Sequence, residues 1–425
     1  CASVAMKKNA PRVLPVAHSH NVEGDDMAIR GTRSRWIILA VAGMVIFVAY
    51  LMQYQASALA FRIGPSFGIN SVELANLMFA PMLLAAFIGI PLGVLADKFG
   101  VRRVVGLALV VSCCAAFARV EAQSYTPLLI FTVLLGFAPA AMNANIMRLF
   151  GAWFEDKVSV AIGVYYACSG LGAMAALYTS AVLPSTRTAF LVSAVALLVC
   201  VALWWLLVAN APECAQTHDE ARDAAPSDSL TDGEMSAIAC FLKAAKSKGM
   251  WLVAFATSVG LAAKTAYLSF MPQALAQSMP PAMANGLAMA VTLGGIAGCL
   301  FGPMLCMRSG RPKRLLVLCS AATSLLMCFT AVTLSSPSAV VLFAVGALSS
   351  MTAPLVEAVP CRLPELRGVV GSAGGIIGSA SLVATYAIPL IIVSLVGSNY
   401  TIQMIAVAVC FALSIPAILR LPSLD

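Results

Sequence analysis

Lys264 stands in "VGLAAKTAYLSF", roughly ten residues from either end of an apolar run. If the surrounding medium is lipid, a central ammonium costs about 2.5–3.5 kcal/mol. Something must offset that cost. One reading is a cationic anchor for an anionic solute; snorkelling and a structural ion pair are the alternatives. Glu357, in "APLVEAVP", is the only acid well inside such a run. Its carboxyl fits a proton carrier, a gate or an interfacial residue. At 1.5 Å per residue it lies roughly 10 Å or more from the level of Lys264, so a direct pair is not expected. Arg148 follows Asn143 and Asn145 in "MNANIMRLF" and fits either an interface marker or a binding and gating residue. Gln53, Tyr54 and Tyr165 are further polar groups in apolar surroundings that could contact a solute.

The elements that must hold these residues follow from composition. Of the 425 residues, 61% are hydrophobic and 10% charged, and the mean hydropathy is +0.93. Soluble domains carry about 25% charged residues, so the solvent for most of this chain is lipid. A spanning helix needs about 20 apolar residues. Twelve such runs occur, near 36–61, 72–96, 103–119, 125–150, 158–181, 188–209, 250–273, 283–305, 313–334, 337–360, 369–394 and 400–420. Lipid offers the backbone no hydrogen-bond partners, so these runs are expected to be helices. Residues 1–34 are polar and aperiodic, the composition of a disordered tail. Residues 210–249 have the composition of a linker, dividing a six-helix bundle at 35–209 from another at 250–425.

Charge orients the bundle. With alternating sides, all but four of the 26 Lys and Arg fall on the side of the termini. The exceptions are Arg62, Arg119 and Arg187, assigned to loops on the other side, and Lys264. The positive-inside rule then places both termini in the cytoplasm. The net charge of +8 reads as topology, with no nucleic-acid partner implied.

"GVLADKFGVRR" (93–103) joins the second and third runs, and a second Gly-then-basic turn, "GPMLCMRSGRPKR" (302–314), follows the eighth. Repetition between halves is a transporter pattern. Here the chain resembles the major facilitator superfamily. Gly93, Leu95, Asp97, Lys98, Gly100, Arg102 and Arg103 match that family's turn between helices 2 and 3. "WFEDKVSVAIG" (153–163) and "LPELRGVVGSAGG" (363–375) resemble its turns before helices 5 and 11. The resemblance implies an all-α membrane protein, twelve transmembrane helices in two six-helix pseudo-symmetric bundles. It also implies gating roles at Asp97, Arg102 and Arg103, Asp97 facing the positive end of the eleventh helix. The second copy has Cys306 where the first has Asp97. Gly89, Gly93, Gly294, Gly298, Gly371 and Gly375 recur four apart. In this family helices 2, 5, 8 and 11 join the halves, so these glycines are expected in that seam. Gly100 supplies the tight turn.

The resulting expectation is a secondary active transporter of a small anion, working by alternating access with proton symport or exchange. It would be a monomer in the plasma (inner) membrane. Within the family the chain resembles the cyanate permease, nitrate porter and oxalate/monocarboxylate branches. The nitrate branch carries an arginine within helix 2 and another within helix 8; this chain has neither in the interior of those runs. The oxalate branch's lysine in helix 11 is also missing. An efflux antiporter for hydrophobic compounds is the alternative. It is disfavoured because a central lysine repels cations and "VYYACSGLGAM" lacks the Gly-Pro pair of the antiporter signature. "GLGAMA" (170–175) matches a dinucleotide fingerprint but has no strand before it. With no Walker loop, no nucleophile–base constellation, no CxxC among thirteen cysteines and only His18 and His20 paired, no enzyme activity, cofactor or metal is expected.

Overall fold

The computed structural model describes residues 21–154, 158–208, 243, 245–309, 312–357 and 370–421. Within them, the side chains of residues 21–34, Asp97, Met147, Arg148, 151–152, 158–160, 303–304, 306–309, Pro312, 353–357 and 370–372 are outside the description. The described residues are helical throughout, joined by short turns. The first six spans are α1 (Asn21–Ala58) with α2 (Ala60–Phe67), α3 (Ser71–Phe99), α4 (Val101–Val120), α5 (Tyr125–Leu134) with α6 (Phe137–Phe154), α7 (Val158–Val182) and α8 (Thr186–Leu207). The last six are α9 (Lys248–Leu275), α10 (Pro281–Ser309), α11 (Pro312–Val332), α12 (Ala339–Glu357), α13 (Val370–Val396) and α14 (Tyr400–Ala412) with α15 (Ser414–Arg420). Among the described residues, eleven helices are long and apolar enough to cross a membrane, and Ala339–Thr352 is a shorter apolar helix. Together they make the twelve spans. Helix α1 starts inside the stretch whose composition reads as a tail.

Turn chemistry sets the helix ends. Asn70 and Glu73 form a capping box at the start of α3. The Ser185, Ser247 and Asn399 side chains cap α8, α9 and α14. Gly100, between α3 and α4, has φ 83°, a conformation that side chains disfavour, so this turn requires glycine.

The apolar packing divides in a way that bears on function. One cluster holds residues of both halves: Ala58, Leu77 and Phe79 from the first, Phe270, Ala288 and Val407 from the second. It lies at the end of the bundle opposite the basic turns. Two other clusters lie toward the basic end, and each stays within one half. One gathers Ile46, Leu109 and Trp204; the other Met250, Leu316 and Ile418. Hydrogen bonds across the halves also gather at the opposite end. Ser57 Oγ donates to the carbonyl of Ser269. Asn285 Nδ2 donates to Ala58 O at 3.3 Å, and Tyr386 Oη to Asn76 Oδ1 at 3.0 Å. The rings of Phe79 and Phe270 meet edge to face at 5.7 Å. The halves are thus sealed at one end and packed separately at the other.

Helices α3 and α13, and α7 and α10, pair across the halves. Gly294 and Gly298 do not pack across that seam. A Cβ on Gly294 would lie 1.9 Å from Phe343 O, and one on Gly298 2.1 Å from Ala347 O. Both therefore seat α10 against α12 of its own half. Sequence spacing identifies a small-residue face but not its partner. At Gly89, Gly93 and Gly375 an added Cβ would meet no such atom within 4 Å. Gly371 lies within α13. Ser379 Oγ reaches Ala86 O at 3.4 Å; from there toward the basic end, the Gly89 and Gly375 faces stand apart.

This packing generates a contrast. Gly298→Ala is expected to destabilise the protein by about 1–3 kcal/mol through overpacking against α12. Gly375→Ala should leave stability nearly unchanged. Thermal unfolding in detergent compares the two.

Candidate functional site

The polar residues singled out by sequence fall into separate groups. The first lies on α1, α6 and α7, where α1 approaches α9. Tyr50 and Tyr54 sit one turn apart on α1, ring centroids 6.2 Å apart. The Tyr54 phenol reaches toward Thr265 of α9. On α7, the rings of Tyr165 and Tyr166 lie 5.5 Å apart. Tyr165 is fully buried, packs edge-on against Phe150 and donates to Asn143 Oδ1 at 2.9 Å. Asn143 itself is exposed. Tyr165 therefore acts through Asn143, holding its amide in place, while Tyr166 is 43% exposed. Gln53 is half-buried on α1.

Asn145 lies elsewhere. Two residues beyond Asn143 the helix has turned by about 200°, and Asn145 is buried inside the first half, bonding Ala141 O of its own helix. Its Oδ1 has no partner.

Lys264 occupies a third place. The flank of α9 that meets α1 and α13 carries Ser258, Thr265 and Ser269. Lys264 is about 100° around the helix from Thr265. It lines a small cleft inside the second half, of about 30 Å³, with Gly260, Ser320, Ser349, Thr352 and Ser414. Thr352 donates its hydroxyl proton to Ser349 O of its own helix, and Ser414 donates to Phe411 O in the last turn of α14. Ser320 Oγ, also buried, has no partner. Among the described residues no carboxylate pairs with Lys264; the one ion pair joins Arg187 to Glu121. The cleft that Lys264 lines is formed by residues of the second half, to one side of the flank of α9 that meets α1 and α13.

At the basic end, Arg102 Nη2 donates to Trp205 O at 2.6 Å, and Trp204 Nε1 donates to Arg102 O at 2.9 Å. Arg102 thus ties α4 to α8 within the first half. Arg103 is exposed. The side chains of Asp97, Arg148 and Glu357 lie outside the described residues. Among the described residues, no group of three or more His, Cys, Asp or Glu is placed to hold a metal.

Sequence reasoning missed Arg119. Counted as a loop residue, it is instead 1% exposed, at the end of α4. Its Nη2 donates to Gln55 Oε1 at 2.9 Å, and its guanidinium lies 4.0 Å from the centroid of Phe190. Gln55 also donates to Ala189 O and accepts from Ser193. The signal was available: Arg119 falls within the last turn of an apolar run, before the first turn-forming residues.

Comparison with known proteins adds three findings. The family model described as Major Facilitator Superfamily matches residues 36–385. Among curated proteins, the chain is 25% identical over 146 residues to the nitrate/nitrite transporter NrtP of a Picosynechococcus strain, 34% of this chain and 27% of that protein. It is 31% identical over 126 residues to the "Probable nitrate/nitrite antiporter NarK1" of Thermus thermophilus, 29% of this chain and 28% of that one. The matched stretches thus span just over a quarter of these relatives. Among solved structures, a bacterial homologue of the human lysosomal transporter Spinster, inward-facing and unoccupied, aligns with a TM-score of 0.65 at 14% identity. That alignment covers 91% of this chain and 95% of the other.

The cross-half bonds can be tested directly. Each should contribute about 0.5–1.5 kcal/mol. Removing two, in Ser57→Ala/Asn285→Ala, is expected to loosen the sealed end. With the thirteen native cysteines replaced by serine or alanine, a single cysteine introduced at Tyr54 should then react faster with a thiol reagent supplied from that end.

Proposed function

The chain belongs to the Major Facilitator Superfamily, and from that premise we propose that it is a secondary active transporter of a small anion. One observation carries the reading. Where the halves meet, the described side chains offer phenols, hydroxyls and an amide, and no carboxylate. The described acids, Glu73 and Glu121, are occupied at helix ends, one in a capping box and the other with Arg187. Such a surface donates hydrogen bonds and leaves a cation without a counter-charge. Lys264, partway along α9 and without a carboxylate partner among the described residues, supplies positive charge beside it.

The nitrate/nitrite names of the curated relatives support the same class of solute. This chain lacks an interior arginine in α3, and α10 has one only in its last turn, Arg308. The solute is therefore a small inorganic or carboxylate anion, with Lys264 in place of paired arginines as the source of charge.

The mechanism is alternating access by the bundles of residues 35–209 and 250–425, joined by the linker 210–249. The basic turns favour a cytoplasmic location for their end of the bundle and for both termini, most simply in the plasma (inner) membrane. In that orientation the structure is inward-facing, sealed outside and separated inside. Closure at the cytoplasmic end would bring the Gly89 and Gly375 faces together, with Gly93 and Gly371 a turn away, while the α3–α4 turn holding Asp97, Arg102 and Arg103 moves as a unit. Uptake of an anion opposes an inside-negative potential by about 2.3 kcal/mol per charge per 100 mV. Proton symport or anion exchange offsets this, with Glu357 the candidate proton carrier and Arg148 a candidate gate. The working unit is a monomer.

The test is uptake into proteoliposomes of nitrate, nitrite, cyanate, formate and acetate, with a lipophilic cation in parallel. At least one anion should be taken up. Lys264→Ala should lower its uptake by about tenfold or more, as expected for losing a charge-assisted interaction, and Lys264→Arg should retain much of it. Transport of the cation alone, indifferent to Lys264→Ala, would sink the anion reading.

A further inference from the structure

Arg119 raises a question the seam does not answer. It is a guanidinium removed from water, with no carboxylate partner among the described residues. Buried charges are ordinarily paired. Here the described partners are neutral: Gln55, the carbonyl of Met52 at 3.5 Å and the face of Phe190. Its Nε is buried and bonded to nothing.

Beside it lies a cavity of about 270 Å³, bounded by Phe67, Arg119, Gln123, Thr186, Arg187 and Phe190, with Glu121 also on its wall. Thr186 and Arg187 begin α8, a helix of 22 residues. Ser185 caps it by accepting from Thr188 N, leaving the N–H groups of Thr186 and Arg187 without partners inside the helix. A helix N-terminus carries partial positive charge and offers such donors to anions. Glu121 does not cancel Arg119: it pairs with Arg187 at 2.6 Å, both side chains being largely exposed. The uncompensated charge at this cavity is that of Arg119.

We propose that this cavity is a second anion-binding site, in the first half at the end opposite the basic turns, taking a small oxyanion such as a carboxylate or an inorganic oxyanion. The anion supplies the missing counter-charge for Arg119 and accepts from the first turn of α8. The site is formed by residues of the first half alone and does not depend on Lys264. On the orientation proposed above it faces outside, where an arriving solute is first met. Through Gln55 it is linked to the end of α1, where Ser57 and Ala58 bond to the second half. Occupancy there therefore bears on the seal between the halves.

The experiment uses the full chain purified in detergent. Thermal unfolding is followed against sodium nitrate and, separately, sodium acetate, with sodium gluconate holding ionic strength constant. A ligand of the folded state raises apparent stability in a saturable way. Three proteins are compared: the parent, Lys264→Ala and Gln123→Glu. Gln123 is exposed, so Gln123→Glu places a negative charge on the cavity wall without disturbing the buried contacts of Arg119. The expected result is saturable stabilisation by at least one anion in the parent and in Lys264→Ala, with the half-saturating concentration raised about tenfold in Gln123→Glu, as for a like charge brought against the ligand. No saturable stabilisation in the parent, an unchanged response in Gln123→Glu, or loss of the response in Lys264→Ala would each overturn the proposal. So would a response to phosphatidylglycerol micelles alone, which would make the occupant a lipid phosphate. If anion binding behaves as expected but proteoliposomes take up no anion, the transport reading fails and this site stands.

Discussion

The arrangement depends on the seal between the halves. In lipid, no hydrophobic force drives one apolar helix onto another; close packing and interhelical hydrogen bonds must do it. Here those contacts concentrate at one end. Phe79 and Phe270 interlock, Ser57 and Asn285 bond backbone carbonyls across the boundary, and Tyr386 reaches Asn76. Interhelical bonds of this kind average about 0.6 kcal/mol each. The seal is thus the sum of several individually weak contacts. Under the proposed alternating access, it is this end that must open.

The same seal explains the division of the apolar core. Each half keeps its own cluster toward the basic end, around Trp204 in the first and Met250 in the second. Within the second half, α10 and α12 approach so closely at Gly294 and Gly298 that their backbones nearly touch. Close packing of this kind is what the proposed motion of each half as one body would need. Arg102, bonded to the end of α8, adds the first helical turn of α4 to the first of these bodies.

Much of this was legible in the sequence. Twelve apolar runs, a basic turn repeated between halves and the Gly-Asp-Gly spacing of residues 93–100 carried the fold, because lipid leaves the backbone so few options. The site was less legible. The sequence marked Tyr54 and Tyr165 as polar groups in apolar runs, but it could not show that Tyr165 is buried and bonded to Asn143, or that Asn145 is buried against its own helix. Those facts depend on how each helix is rotated about its axis, and that is fixed by packing partners distant in sequence. Lys264 is the clearest case. Its run identifies it as an intramembrane cation, yet Thr265, the next residue, is the one that faces the seam.

Arg119 and Lys264 together show where charge counting stops. Counting assigns every basic residue to a side of the membrane, and Lys98 and Arg103 are exposed, as residues in such turns must be. It treats Arg119 as one more loop residue because it stands one position from the end of α4. Position along the axis and depth within the bundle are separate coordinates, and only the first is written in hydropathy. A guanidinium at the edge of the membrane has water within reach, so leaving it buried, with no counter-charge among the described residues, is a choice of packing that the aqueous alternative does not force. Lys264 has no such alternative at its level in the bundle. The two cations therefore constrain function differently: Lys264 by having nowhere else to go, and Arg119 by remaining inside when it could leave.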